Sequence, residues 1–123
     1  MKVDLHIHTS YSDGAFSPEK IVDTALDVGL EAIAITDHDT VDGVEEALAA
    51  GEKLGMPVVP GIELSTEYRG CEVHVVGLYV DHGSFDLNRQ ARAFRDERTK
   101  EVRNMEELDS TVTGYSPSTR LSA

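Results

Sequence analysis

Six residues of this chain combine a type and a spacing that suit metal chemistry. His6 and His8 stand two positions apart, so on an extended segment both project to the same side. At strand rise they are ~6.6 Å apart along the chain, near enough for two imidazoles to converge on one ion at ~2.0–2.1 Å each. Asp13 follows shortly after, His38 lies inside the polar run Asp37-His38-Asp39, and Glu63 and His74 each interrupt an otherwise apolar stretch. A lone buried carboxylate is costly, so Glu63 is expected to be paired, protonated or bound to metal. Its bland alternatives are an ion pair with Arg69 or exposure on an edge strand. His/carboxylate donor sets accept several first-row ions without choosing among them.

These donors need elements that bring them together. Val3, Leu5 and Ile7 alternate with Asp4, His6 and His8, a period of two that predicts a strand over residues 2–8. Ser17-Pro18 reads as an N-cap followed by proline at the first helical position. Ile21, Val22, Ala25 and Leu26 then recur at helical spacing up to Gly29. The apolar run Ala32–Ile35 suits a strand buried on both faces, and the Ala- and Glu-rich stretch 44–54 suits a helix ended by Gly55. A third strand is expected from Val58 through Leu64, a turn at Arg69-Gly70, and a fourth strand from Val73 to Val80. Leu87, Ala91, Phe94, Val102, Met105 and Leu108 predict a last helix over about 87–108. The order β-α-β-α-β-β indicates an α/β fold with a mainly parallel sheet. In such folds sites gather at the C-terminal ends of strands, and four of the five histidines fall on an expected strand or in the loop just after one. His82, in Asp81-His82-Gly83, is expected at the surface, as are Arg69, Arg92, Arg95 and Arg98. Residues 1–108 form the expected metal-binding domain. Residues 109–123, rich in Ser and Thr, are expected to be a flexible tail.

The bulk numbers narrow the partners. Acidic residues outnumber basic ones 23 to 11, for a net charge of -12. That balance, with no basic or aromatic surface motif, argues against direct nucleic-acid or anionic-membrane contact. It also means that a phosphorylated ligand needs local positive charge, which bound cations supply. The single cysteine rules out an internal disulfide, and the early charged residues leave no signal-peptide core, so a cytoplasmic location is expected.

The run Asp4-Leu5-His6-Ile7-His8-Thr9 with Tyr11-Ser12-Asp13-Gly14, then Ile35-Thr36-Asp37-His38-Asp39, then Gly61-Ile62-Glu63-Leu64-Ser65 and the later His74, together resemble the motifs of the polymerase-and-histidinol-phosphatase (PHP) family. The resemblance spans about residues 1–100, in order. It implies a distorted (β/α)7 barrel with up to three divalent ions, Zn, Mn or Fe. His6 and His8 would hold one ion, Glu63 would bridge it to a second also bound by His74, and Asp13 and His38 would hold a third. Catalytic work would fall to Asp13, His38 and Glu63, while Asp37 and Asp39 would orient the ligands. The implied reaction is hydrolysis of a small phosphorylated molecule, of nucleotide or sugar-phosphate type, by metal-activated water.

The family pattern also implies a further His and a later Asp-x-His pair, and no histidine follows His82. At 123 residues the chain is short for a closed barrel. The expectation is therefore the N-terminal half of such a barrel, completed by self-association as a dimer; the alternatives are a truncated product or a separate partner chain. Two other functions are weighed against the phosphoesterase: a metal-binding but catalytically inactive PHP domain, and an accessory module of a DNA polymerase.

Overall fold

A computed structural model describes the fold of residues 1–113, with side-chain surroundings up to Thr99. Residues 114–123, which hold most of the expected tail, lie outside the described residues. The elements are β1 (Val3–Ile7), α1 (Pro18–Asp27), β2 (Ala32–Ile35), α2 (Val44–Leu54), β3 (Val58–Tyr68), β4 (Cys71–Leu78) and α3 (Phe85–Thr113). The strands form one sheet in the order β1-β2-β3-β4. β1–β2 and β2–β3 pair in parallel, and β3–β4 pair antiparallel. The α/β reading and the element order hold.

Local chemistry explains most boundaries. Ser17 caps α1 by accepting from the Lys20 N–H, with Pro18 next in line. Gly55 ends α2 at φ 81°. Arg69 and Gly70 both take positive φ, 52° and 80°, the pair of left-handed residues that a tight two-residue hairpin requires. β4 accordingly starts at Cys71, two residues before the expected Val73. It stops at Leu78 because Tyr79 turns to φ 58°. The last helix starts earlier and runs further than expected, passing through Leu108 to Thr113, so the first five residues assigned to the tail are helical.

The helices cover one side of the sheet. Val22, Ala25, Ile33, Ile35, Ala47, Ala50 and Met56 form a buried cluster between α1, α2 and the strands, with Ile7 and Val58 packed against it. Val41, Val44, Ile62 and Ala91 form a second cluster that seats the start of α3 on β3. The outer strands are less covered: Val3 and Leu5 on β1, and Val73, Val75, Val76 and Leu78 on β4, are each 37–48% exposed. The expected open edges are therefore present.

Candidate metal centre

Strand pairing assembles the cluster. The Ile7 carbonyl accepts from the Thr36 N–H, and the Thr36 hydroxyl accepts from the Ile7 N–H, which locks the end of β1 to the end of β2. Beyond β2 the chain keeps one more link to β3. Glu63 N–H donates to the Asp37 carbonyl and Asp39 N–H to the Glu63 carbonyl, so His38 is bridged directly to Glu63. Asp39 turns the chain away at φ 53°, a left-handed geometry that Asp tolerates better than most residues. On β4, His74 stands opposite Ser65, two residues along β3 from Glu63, so both side chains share a face.

All six expected donors converge. Glu63 is 4% exposed and sits in the middle. His6 Nε2 lies 2.6 Å and His8 Nε2 2.8 Å from its Oε1. His74 Nδ1 lies 2.6 Å and His38 Nδ1 3.9 Å from its Oε2. Asp13 joins at the other end, with Oδ1 2.8 Å from His8 Nδ1 and Oδ2 3.3 Å from His38 Nε2. Three donor groups result, His6/His8/Glu63, His8/Asp13/His38 and His38/Glu63/His74, each with ligand atoms within 4.8 Å of one another.

Divalent ions fit these groups. Two ligands at ~2.1 Å from one ion stand about 3.0 Å apart at octahedral and about 3.4 Å at tetrahedral angles, within the range of spacings observed. His38 adds a second argument: it is 6% exposed, yet neither ring nitrogen has a hydrogen-bond partner. A buried unpartnered polar group carries a free-energy cost, and metal coordination would relieve it.

The electrostatics divide the donors. Burial raises the Glu63 pKa, but hydrogen bonds from His6, His74 and His8 outweigh it and lower the value from 4.5 to about 2. His38 is held below its ordinary 6.5, first by burial, then by the Arg98 charge and His8, against the pull of Asp13 and Glu63. His74 is raised, chiefly by its hydrogen bond to Glu72 and despite burial, with Glu63 adding to the rise. For the metal-free protein the signs follow. Glu63 contributes stability above pH 4.5 that is lost as pH falls towards about 2. Neutral His38 is a penalty below 6.5, and His74 stabilises until pH rises through its raised pKa. Urea unfolding in chelator should therefore show greatest stability just above pH 6.5, declining on both sides. Added divalent ions must displace the His74 proton, so their stabilisation should grow with pH. A chelated protein whose stability climbs steadily to pH 9 would contradict these assignments.

The two supporting aspartates accept from backbone N–H groups and hydroxyls rather than from imidazoles. Asp37, 1% exposed, accepts from the Thr9 N–H, the Thr9 hydroxyl and the Ser12 hydroxyl at 2.5, 2.7 and 2.7 Å, and so holds the loop that carries Asp13. Asp39 accepts from the Ser65 N–H at 2.8 Å. Gly14 serves the same loop: a Cβ there would lie 2.3 Å from the His8 carbonyl oxygen. Gly14→Ala should therefore push Asp13 away from His8, cost ~1–3 kcal/mol, and weaken any metal binding by the His8/Asp13/His38 group. Elemental analysis alongside urea unfolding would check this.

Several neighbours escaped the sequence reading. Glu72 Oε1 lies 2.8 Å from His74 Nε2. Arg95 and Arg98, expected to be solvated, are half-buried beside Asp13 and His38, and Arg95 Nη1 reaches 3.5 Å from the Asp39 carbonyl. The signal was available: Ala91, Arg95 and Arg98 fall on one helical stripe, and Ala91 is core. Arg92 and Arg69 are exposed as expected, Arg69 lying over the Tyr68 ring. His82 pairs with Glu45 at 2.6 Å, outside the cluster.

An α/β sheet whose strands and following loops gather four imidazoles and two carboxylates defines a scaffold able to hold divalent ions. The PHP domain model matches residues 4–116, and the chain belongs to that family. It is 38% identical over 104 residues to a 5'-3' exoribonuclease of Haemophilus influenzae, covering 82% of this chain and 38% of that protein. It is 36% identical over 103 residues to a 3',5'-nucleoside bisphosphate phosphatase of Chromobacterium violaceum, covering 84% and 36%. Among solved structures, one from Chromobacterium violaceum described as an amidohydrolase, with bound sulfate and no metal, superposes with a TM-score of 0.82 at 34% identity, covering 91% of this chain and 40% of that one. A Bifidobacterium adolescentis structure described as a metal-dependent phosphoesterase gives 0.79 at 30%, covering 90% and 39%. The chain thus spans under half the length of these relatives, and its sheet corresponds to part of their barrel.

Proposed function

We propose that this chain carries the ion-binding portion of a phosphoesterase site acting on a small phosphorylated molecule, of nucleotide or sugar-phosphate type. The observation that carries the reading is Glu63, a buried carboxylate with imidazoles at both oxygens and a second carboxylate, Asp13, beyond them. Zn, Mn or Fe suits such donors. Bound ions supply a water of lowered pKa and positive charge for phosphoryl oxygens. In this reading His6, His8, Asp13, His38, Glu63 and His74 are the ligands. Asp13, His38 and Glu63 lie closest to the reacting group, and Asp37 and Asp39 hold the loops that aim them. The names of the relatives, a nucleoside bisphosphate phosphatase and exoribonucleases among them, support the reaction class.

The test is phosphate release from nucleotides and sugar phosphates with Mn, Fe or Zn. Metal-dependent release that His8→Ala abolishes is the expected result. Bound metal without turnover would favour the metal-binding but inactive reading. The exposed apolar residues of β1 and β4 support self-association, so the solution mass is expected to be that of a dimer. No helix among the described residues is long and apolar enough to cross a membrane, and the single exposed thiol of Cys71 suits a reducing cytoplasm.

A further inference from the structure

Two cavities meet at Arg98. One, of about 330 Å³, opens over the Asp13–His38 end of the cluster and has Tyr11 and Arg95 in its wall. The other, of about 320 Å³, lies between α3 and the β3–β4 hairpin, walled by Ser65, Glu67, Glu72, Phe94 and Glu97. Ser65 faces His74 across the hairpin, so the second cavity begins beside the metal-binding face. The two differ in charge. The first sets the Arg95 and Arg98 guanidinium groups against the carboxylates of Asp13 and Asp39, with His38 beside them, whereas the second sets three carboxylates against Arg98 alone. The second also offers the half-buried Phe94 ring and the buried Ser65 Oγ, which has no hydrogen-bond partner.

We propose that the site takes an organic phosphomonoester in two parts. Its phosphoryl group lies against Arg98 and Arg95 at the Asp13–His38 end, and an uncharged, hydroxyl-bearing ring occupies the second cavity. There Phe94 gives the ring a flat apolar contact, Glu67 and Glu97 accept from its hydroxyls, and Ser65 Oγ gains a partner. A second phosphate in that cavity would meet three carboxylates against one guanidinium, a net like-charge repulsion that water weakens at these exposed carboxylates. The site therefore selects a monophosphate of a neutral sugar over a bisphosphate. The ligand class rests on the phosphoesterase reading above; the choice of leaving group goes beyond it.

Binding can be read separately from turnover, by NMR titration of the full chain loaded with Zn at constant ionic strength, with spectra taken before the probes are hydrolysed. The probes are inorganic phosphate, ribose 5-phosphate and adenosine 3',5'-bisphosphate. Ribose 5-phosphate should bind most tightly, with the bisphosphate about tenfold weaker. Glu67→Gln with Glu97→Gln should largely erase that difference, and Arg98→Gln should weaken all three probes. Both glutamates are exposed, so these variants are expected to fold. A bisphosphate that binds as well as ribose 5-phosphate, a ratio untouched by the glutamine variants, or no binding of any probe would overturn the proposal. Retained selectivity without metal-dependent phosphate release would overturn the phosphoesterase reading and leave this one standing.

Discussion

Glu63→Gln should leave the fold in place and strip the centre of most of its metal. The carboxylate belongs to two of the three donor groups, one oxygen facing His6 and His8 and the other His74 and His38. An amide keeps the shape but loses the charge and one of the two acceptors. Loss of even an indirect partner of a metal ligand lowers affinity or activity ~10–100-fold, so if Glu63 is the shared ligand proposed above its loss should cost at least that, and the proposed phosphate release should fall by ~10³-fold or more. Elemental analysis after dialysis against Mn or Zn should find ions only where His8, Asp13 and His38 remain. Full metal content with full turnover would remove Glu63 from the centre.

Asp37→Ala should show the opposite balance, a large loss of stability with all six proposed ligands intact. The carboxylate accepts three hydrogen bonds from Thr9 and Ser12, and both Thr9 and Asp37 are at most 1% exposed. Removing it leaves the Thr9 N–H and hydroxyl without their acceptor. Bonds to a charged group contribute about 1.5–3 kcal/mol each, so a net loss of ~3 kcal/mol is expected. That is a large share of an ordinary domain's stability, and it moves the urea midpoint down by ~1–2 M. The freed Thr9–Gly14 loop also carries Asp13, so one ion should leave with it. Asp37→Asn keeps one acceptor and should fall between the wild type and Asp37→Ala. A midpoint unchanged by Asp37→Ala would mean that the loop is held by something else.

The two variants show what kind of information was legible beforehand. The donors could be read because chemistry restricts them: few roles put His, Asp and Glu at strand ends, and strand alternation places His6 and His8 on one side. The elements could be read for the same local reason, with Ser17-Pro18, Gly55 and Arg69-Gly70 marking their own boundaries. The length of α3 was harder to read because its apolar stripe is sparse beyond Phe94, leaving little to mark an end at Leu108.

The sequence by itself determined the donor types, their order along the chain, the strand–helix alternation and the acidic surface, since each depends on residues within a few positions of one another. Only the tertiary structure decided who meets whom. It showed which imidazoles meet each oxygen of Glu63, that Asp37 secures a loop 28 residues away, and that Arg95 and Arg98 lie half-buried beside the cluster instead of out in water. Those outcomes depend on strand register and on the seat of one helix, set by the packing of Ile62, Val44 and Ala91. Local spacing carries no record of contacts between segments distant along the chain.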